Sequence, residues 1–267
     1  MKRRLAGREI QLYEVDLIDA FSAFCERHDL RWSVNGGTLL GAVRHRGFIP
    51  WDDDVDLDMP RPDYDRMLEL VKMDSELPPY IDVRAPLPFC KWFDTRTLIS
   101  RKKYNLPPEE RHLWIDIFPL DGLPEDDDAR RRLYQRQSLL CRAVSLLQFY
   151  DETEAWYRRL TRLLLRLPLR LVGRERLLRW LDSRARRIPY DASPIVGNVC
   201  WGAGWNEEVR KRDSWYQSQD LPFEHLKVNA PPSVICHQYL TQRYGDYMSL
   251  PPAEQRKAHE MEAWVKL

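Results

Sequence analysis

Between Ile49 and Pro60 the sequence reads IPWDDDVDLDMP, with five aspartates in seven positions inside a stretch whose other residues are apolar. This run constrains the fold more than any other, because it concentrates like charge where a strand is expected. In alternating register Asp52, Asp54, Asp56 and Asp58 share one face, while Val55, Leu57 and Met59 take the other. Same-face neighbours then lie roughly 7 Å apart. At an effective dielectric of about 20, each such pair repels by roughly 2 kcal/mol. A compensating cation is expected there.

The remaining composition can bury such a strand. The 267 residues are 43% hydrophobic and 31% charged, which suits one large core or a core with an added lobe. A net charge of +1 argues against a dedicated nucleic-acid binder. No apolar run approaches the roughly 18–20 residues that span a bilayer. The opening MKRRLAGREIQLYEVDLIDAF lacks an apolar h-region, so no secretory signal is expected. Cys25, Cys90, Cys141, Cys200 and Cys236 are scattered and form no CxxC pair, which predicts reduced thiols in a cytoplasmic protein.

Leu12, Val15, Ile18, Phe21 and Cys25 fall at helical spacing and predict an amphipathic helix over 9–29. LRWSVNGG reads as a short strand entering a double-glycine turn, and TLLGAVRHRG as a short helix closed by Gly47. PRPDYDRMLELVKM opens another helix with prolines at its start. YIDVRA, FCKWFDTRTLISRKK and LWIDIFPLDGLP supply further strands. From Asp127 to Arg187 there are sixteen arginines, no lysines and seven acids, predicting a lobe of two to four helices interrupted at Pro168. The rest reads as loop-rich, with a closing helix after SLPPAEQ. The expected organisation is a catalytic core over 1–126, a helical lobe over 127–187, and a segment over 188–267 that packs back and completes the site.

Three metal-site templates can be set against the aspartates. An EF-hand loop starting at Asp52 would need glycine and glutamate where Leu57 and Asp63 stand, so it fails. A lone Asp-x-Asp, as in many sugar-nucleotide glycosyltransferases, is met but is weakly specific. The third template requires a Gly-Gly turn opening a helix, an Asp-x-Asp strand, and a further acid on another strand. Gly36-Gly37, Asp54-Val55-Asp56 and Asp116 supply all three. Carboxylates two apart can hold Mg²⁺, which prefers hard oxygen ligands and retains waters and phosphate oxygens. A Gly-Gly turn admits a phosphate close to the backbone, and the helix N-terminus beyond it favours negative charge. No Gly-Lys-Ser/Thr follows, so this is not a Walker A loop. An acidic run is commonly a solvated face, but Ile49, Pro50, Trp51, Val55 and Leu57 argue for burial here.

NGGTLLGAVRHRGFIPWDDDVDLDMPRPDYDRM, then WIDIFPLDGLP, then YLTQRYGDYMSLPPAEQRKAH resemble the LicD family of phosphorylcholine transferases, with fukutin and fukutin-related protein as more distant relatives. The resemblance implies an α+β, nucleotidyltransferase-like fold, a small mixed sheet flanked by helices, to which the helical lobe is an addition. It also implies transfer of a phospho-alcohol, phosphocholine foremost, from a CDP-activated donor such as CDP-choline to a sugar hydroxyl of a glycan or lipid-linked glycan. Asp54 and Asp56 fall on the family's metal-binding pair, with Asp52 as a further ligand, for Mg²⁺ or Mn²⁺. Asp116 falls on its third acid and is expected to work on the attacking hydroxyl. Gly36, Gly37 and Thr38 fall on the donor-binding turn.

Other candidates have two readings. Lys91 either neutralises a donor phosphate or is a surface lysine. Arg44 and His45 either reach the donor or cap their helix. Asp121 suits an Asx turn. Tyr244, Gly245 and Asp246 either shape the acceptor pocket or pack the last helix, and packing is the favoured reading. The lobe is either a hairpin with leucine core and solvated arginines, or a basic face resting on anionic lipid at the inner face of the membrane. Rival functions are a glycosyltransferase or nucleotidyltransferase with another donor, and a cation-binding protein without turnover.

Overall fold

A computed structural model describes residues 2–101, 106–148, 156–201, 204–207, 209–256 and 261–266. The chain enters through a short strand, β1 (Lys2–Arg4), and the long helix α1 (Gly7–Arg27). Strand β2 (Ser33–Val34), helix α2 (Gly36–His45), strand β3 (Asp56–Pro60) and helix α3 (Arg61–Leu70) follow. Strands β4 (Ile81–Arg84), β5 (Cys90–Asp94), β6 (Thr97–Arg101) and β7 (Leu113–Gly122) complete the first half. The lobe is α4 (Asp127–Gln148), α5 (Trp156–Val172) and α6 (Arg174–Ala185). The chain returns through β8 (Ile195–Gly197), β9 (Arg210–Lys211) and α7 (Arg212–Trp215). It continues with the hairpin β10 (Gln219–Phe223) and β11 (Leu226–Ala230), helix α8 (Ser233–Tyr244) and strand β12 (Met261–Lys266).

The fold is α+β. Its main sheet runs β2-β3-β7-β5-β4, with β8 and β9 added beyond the end of β7. Strands β3 and β7 are parallel and the other pairs antiparallel. Helix α1 lies across this sheet, and Phe21 and Phe24 meet Trp92 of β5 edge-on at 5.1 and 5.4 Å. Its buried stripe runs through Ile10, Glu14, Ile18, Phe21 and Cys25; Leu12, expected in that stripe, is exposed. Strand β12 lies between β1 and β6, tying the chain's end to its beginning.

The lobe has its own apolar centre of Val144, Leu177, Leu178 and Leu181. Ion pairs fasten it to α3, from Arg61 to Asp182 at 3.1 Å and from Arg186 to Asp65 at 2.5 Å. Helix α5 runs through Pro168 instead of breaking there, with the proline exposed on its surface. Among the described residues no helix follows SLPPAEQ: a 3₁₀ turn, Ala253–Gln255, lies within that stretch and β12 comes next, while residues 257–260 and the tail of the FCKWFDTRTLISRKK strand at 102–103 lie outside the described residues.

The aspartate strand is shorter than its alternation suggests. Strand β3 begins only at Asp56, and residues 52–55 are irregular. The cause is the neighbour. Strand β2 pairs only as far as Val34 with Leu57, because Asn35 and Gly36 turn the chain into α2. The β2 ladder therefore stops short of residues 52–55, although Val55 still accepts the Asp116 N–H of β7 at 2.8 Å. Helix α2 ends at His45 with Arg46, not Gly47, in the left-handed cap conformation at φ 57°.

Candidate active site

Three adjoining strands place one functional side chain each in a single row. Asp56 on β3 is opposite Asp116 on β7, which is opposite Lys91 on β5. Directly paired residues point to the same face. The Lys91 ammonium reaches the Asp116 carboxylate at 2.6 Å and lies 4.0 Å from the centre of the Trp114 ring. Lys91 is therefore a largely buried partner of the third acid, not a surface lysine.

The Gly-Gly turn packs against two carboxylates. A Cβ on Gly36 would come within 3.2 Å of Asp56 Oδ2, and one on Gly37 within 2.8 Å of Asp52 Oδ2. Gly36 also has φ +52°, which disfavours a side chain. The positive end of α2 thus faces Asp52 and Asp56. The Gly36 N–H donates to Asn35 Oδ1 at 2.6 Å, so it serves the helix cap and not a phosphate. Thr38 accepts the Asp56 N–H at 2.9 Å and fixes the entry into β3. A diphosphate approaching this turn would meet the carboxylates of Asp52 and Asp56.

The carboxylates have different fates. Asp58 is sealed inside, ion-paired to Arg210 at 2.9 Å and receiving Asn35 Nδ2 at 3.0 Å. Asp121, read as an Asx-turn residue, is buried and accepts both Nε and Nη2 of Arg61 at 2.7 Å. Burial lifts the Asp56 carboxyl well above the usual carboxylate range, and Asp54, Asp116 and Asp58 add to this while Arg243 opposes it. Asp54 and Asp53 line the cavity beside Asp116 and Lys91. Asp53 is therefore not turned to the opposite face, as regular alternation required; the loop around it follows no strand register.

Among the described residues no three His, Cys, Asp or Glu side chains converge closely enough to hold a metal ion by themselves. The ligand set Asp52, Asp54 and Asp56 is thus not gathered at one point, since Asp52 presses on Gly37 while Asp54 faces the cavity. The donor chemistry still suits Mg²⁺ or Mn²⁺. All the acids offer hard oxygens, Asp56 is raised by burial and then by like charge around it, and such ions are usually held by one or two carboxylates plus substrate phosphates.

Three buried polar side chains around the aspartates, Glu14, Gln11 and Arg210, escaped sequence reasoning. Glu14 of α1 is buried, and its carboxyl is lifted well above the usual range by burial, then by Asp54, Asp53, Asp52 and Asp116. Its signal was an acid on the apolar stripe, four residues from both Ile10 and Ile18. Gln11, next to it, donates to the Asp52 carbonyl at 2.8 Å and supports the loop. Arg210, the partner of Asp58, carried no local signal.

The remaining candidates divide. Arg44 donates to the Tyr247 carbonyl at 2.6 Å and to His45 Nε2 at 2.9 Å, so it clamps the YGDYMSLPP segment. Neither Arg44 nor His45 lines the cavity at the acid row. Tyr244 puts its hydroxyl 3.8 Å from where a Gly36 Cβ would lie, and its phenol is raised by burial and by Asp56 and Asp52, although Arg243 opposes this. The residue is at the turn, whatever packing it also provides.

The cavity is about 420 Å³. Asp54, Asp116 and Lys91 form one side, and Phe89, Trp114 and Trp201 supply aromatic walls. Glu110 lies among them, raised by burial against the pull of Arg174 and Lys91. The lobe contributes Ser145, Leu147 and Arg174.

Residues 29–139 match the family described as LicD/FKTN/FKRP, nucleotidyltransferase domain. A curated relative, "Lipopolysaccharide cholinephosphotransferase LicD" of Haemophilus influenzae, is 29% identical over 98% of this chain and 99% of its own length. The chain carries a domain of the LicD family. An uncharacterized protein of Rickettsia prowazekii is 26% identical over 46% of the chain and 44% of its own length. The family domain contains Asp56, Asp116 and Lys91 and stops within α4. Arg210 and Tyr244 lie beyond it, in the part covered by the Haemophilus relative.

Proposed function

We propose that the protein transfers phosphocholine from CDP-choline to a sugar hydroxyl of a lipopolysaccharide-type glycan, with Mg²⁺ or Mn²⁺ held by Asp54 and Asp56. The observation that carries this reading is the row Asp56–Asp116–Lys91 at the edge of a cavity with aromatic walls. The name of the Haemophilus relative supports choline phosphate as the transferred group and lipopolysaccharide as the acceptor class.

When bound, the metal ion supplies charge neutralisation for the donor diphosphate. The chain's own residues do the rest. Asp116, oriented by Lys91, accepts the proton of the attacking hydroxyl. A bond forms from that oxygen to the choline-side phosphorus, while the bond from this phosphorus to the bridging oxygen breaks and CMP leaves. Lys91 balances charge beside Asp116 and near the transferred phosphate. Aromatic faces attract a quaternary ammonium, and Glu110 adds a carboxyl to the same cavity. All five cysteines are free, which suits a reducing, cytoplasmic setting with the acceptor met at the membrane surface.

Incubation with CDP-choline, CDP-ethanolamine, CDP-ribitol and a lipooligosaccharide acceptor, with Mg²⁺ or with chelator, tests the reading. Mass spectrometry is expected to find phosphocholine on the glycan with one CMP released per transfer, and nothing in chelator. Preferred turnover of another CDP-alcohol or of a nucleotide sugar overturns it.

A further inference from the structure

Helix α5 leaves Leu163, Leu164, Leu167 and Leu171 exposed, the last at 88%. At 3.6 residues per turn these positions fall within an arc of about 100°. They form one stripe. On another side of the helix Leu169 and Val172 pack on the lobe's apolar centre. So α5 buries one flank and presents a second apolar flank outward. Scattered exposed leucines need no explanation, whereas a contiguous apolar stripe marks a contact surface.

Charge identifies what covers it. From Trp156 to Val172 the sequence has five arginines and no acid. By the same helical step Arg170 lies exposed at one edge of the stripe, while Arg166 beside it donates to the Leu146 carbonyl at 2.6 Å. A second copy of the chain would bring arginine against arginine. From Leu163 to Leu171 the stripe is only about 12 Å long on a cylinder about 10 Å wide, far short of the ~800 Å² that each partner contributes to a stable interface. Among the described residues no helix is long and apolar enough to cross a membrane. A basic helix with an apolar face fits the surface of an anionic bilayer.

We infer that α5 is an in-plane membrane anchor, with Leu163, Leu164, Leu167 and Leu171 in the acyl boundary and Arg170 on lipid phosphate. The inference does not depend on the transfer chemistry. Arg174, two residues beyond α5, lines the cavity, so the docked helix holds the cavity near the bilayer. Binding has two components. The arginine part is screened by salt, and the leucine part is not.

The test is co-sedimentation of the full chain with phosphatidylglycerol-containing and with pure phosphatidylcholine vesicles. The protein is expected to bind the anionic vesicles and to keep part of that binding in ~1 M salt, where the screening length falls to about 3 Å. Leu167→Glu with Leu171→Glu is expected to weaken binding about tenfold or more without changing the melting temperature. Arg170→Gln should weaken it mainly at low salt. The inference fails if the wild type stays in the supernatant, if high salt removes all binding, or if the double leucine variant binds like the wild type. It fails equally if the leucine variant splits a dimer that does not bind vesicles.

Discussion

Asp58–Arg210 and Asp116–Lys91 are both carboxylate–cation pairs whose acids sit on the central strands β3 and β7, at 2.9 and 2.6 Å, yet their surroundings differ. The first pair is wholly sealed, under Trp215 and Tyr239, whose rings lie 4.8 and 5.0 Å from the Arg210 guanidinium. The second keeps 12% and 15% of its side chains accessible and borders the cavity. Neighbouring aspartates of one acidic run have thus been sorted by what closes over them. A sealed pair holds the fold in register, because neither charge can escape when the other is removed. An open pair can exchange a proton with a ligand.

Removing each acid should separate these roles. Asp58→Asn strands Arg210 in the interior and is expected to cost ~3–5 kcal/mol of stability. Asp116→Asn leaves Lys91 beside Trp114 and the cavity, so the melting temperature should fall much less. Activity runs the other way. Asp116→Asn is expected to lower kcat by ~10²–10⁴ while CDP-choline binding, followed by calorimetry, largely persists. If Asp116→Asn unfolds as readily as Asp58→Asn, or retains full turnover, the distinction collapses.

A smaller effect lies in the pH dependence of the metal-free protein. Asp56 and Glu14 are raised in the folded state, so the native protein holds their protons at pH values where the unfolded chain has released them. Above the ordinary carboxylate range of about 4, their contribution to stability therefore falls as pH rises, until the raised folded values are passed. Asp56→Asn removes one such group. Its metal-free melting temperature should equal the wild type near pH 4 and exceed it by a few degrees at pH 8. Glu14→Gln should behave alike. A thermal scan across pH in which both variants melt below wild type at every pH would make these acids structural, like Asp58.

Much of the site was legible in sequence because its parts are local. Gly36-Gly37 had to turn close to something, and the aspartates and Asp116 could be placed on neighbouring strands. What failed was anything decided by a distant partner. Regular alternation through residues 52–55 failed because β2 turns into α2 and its ladder stops short of them. Arg210 answers Asp58 across 152 positions of sequence, so no spacing rule could pair them. The sequence leaves Arg44 either reaching the donor or capping its helix, and the partner it does have, the Tyr247 carbonyl, lies 203 positions away. Lys91 was ambiguous for the same reason: only the β5–β7 register puts it on Asp116. Pro168 did not end its helix, since the flank of α5 on which it lies is exposed.

The smallest expected effect concerns the rings beside the open pair. Lys91 already lies over Trp114, whereas Trp201, 5.8 Å from Phe89 between ring centres, walls the same cavity. If Trp201 receives the quaternary ammonium, Trp201→Leu removes a cation–π contact of ~0.5–2 kcal/mol while retaining an apolar wall. CDP-choline should then lose kcat/KM by about two- to thirtyfold, and CDP-ethanolamine, whose ammonium can form hydrogen bonds elsewhere, by less. Trp201→Phe should recover part of the difference, because a smaller ring still presents a negative face. Measuring both donors for the three proteins isolates the ring from any general loosening of the cavity. Equal losses for the two donors would assign choline to another surface and leave Trp201 as packing against Phe89.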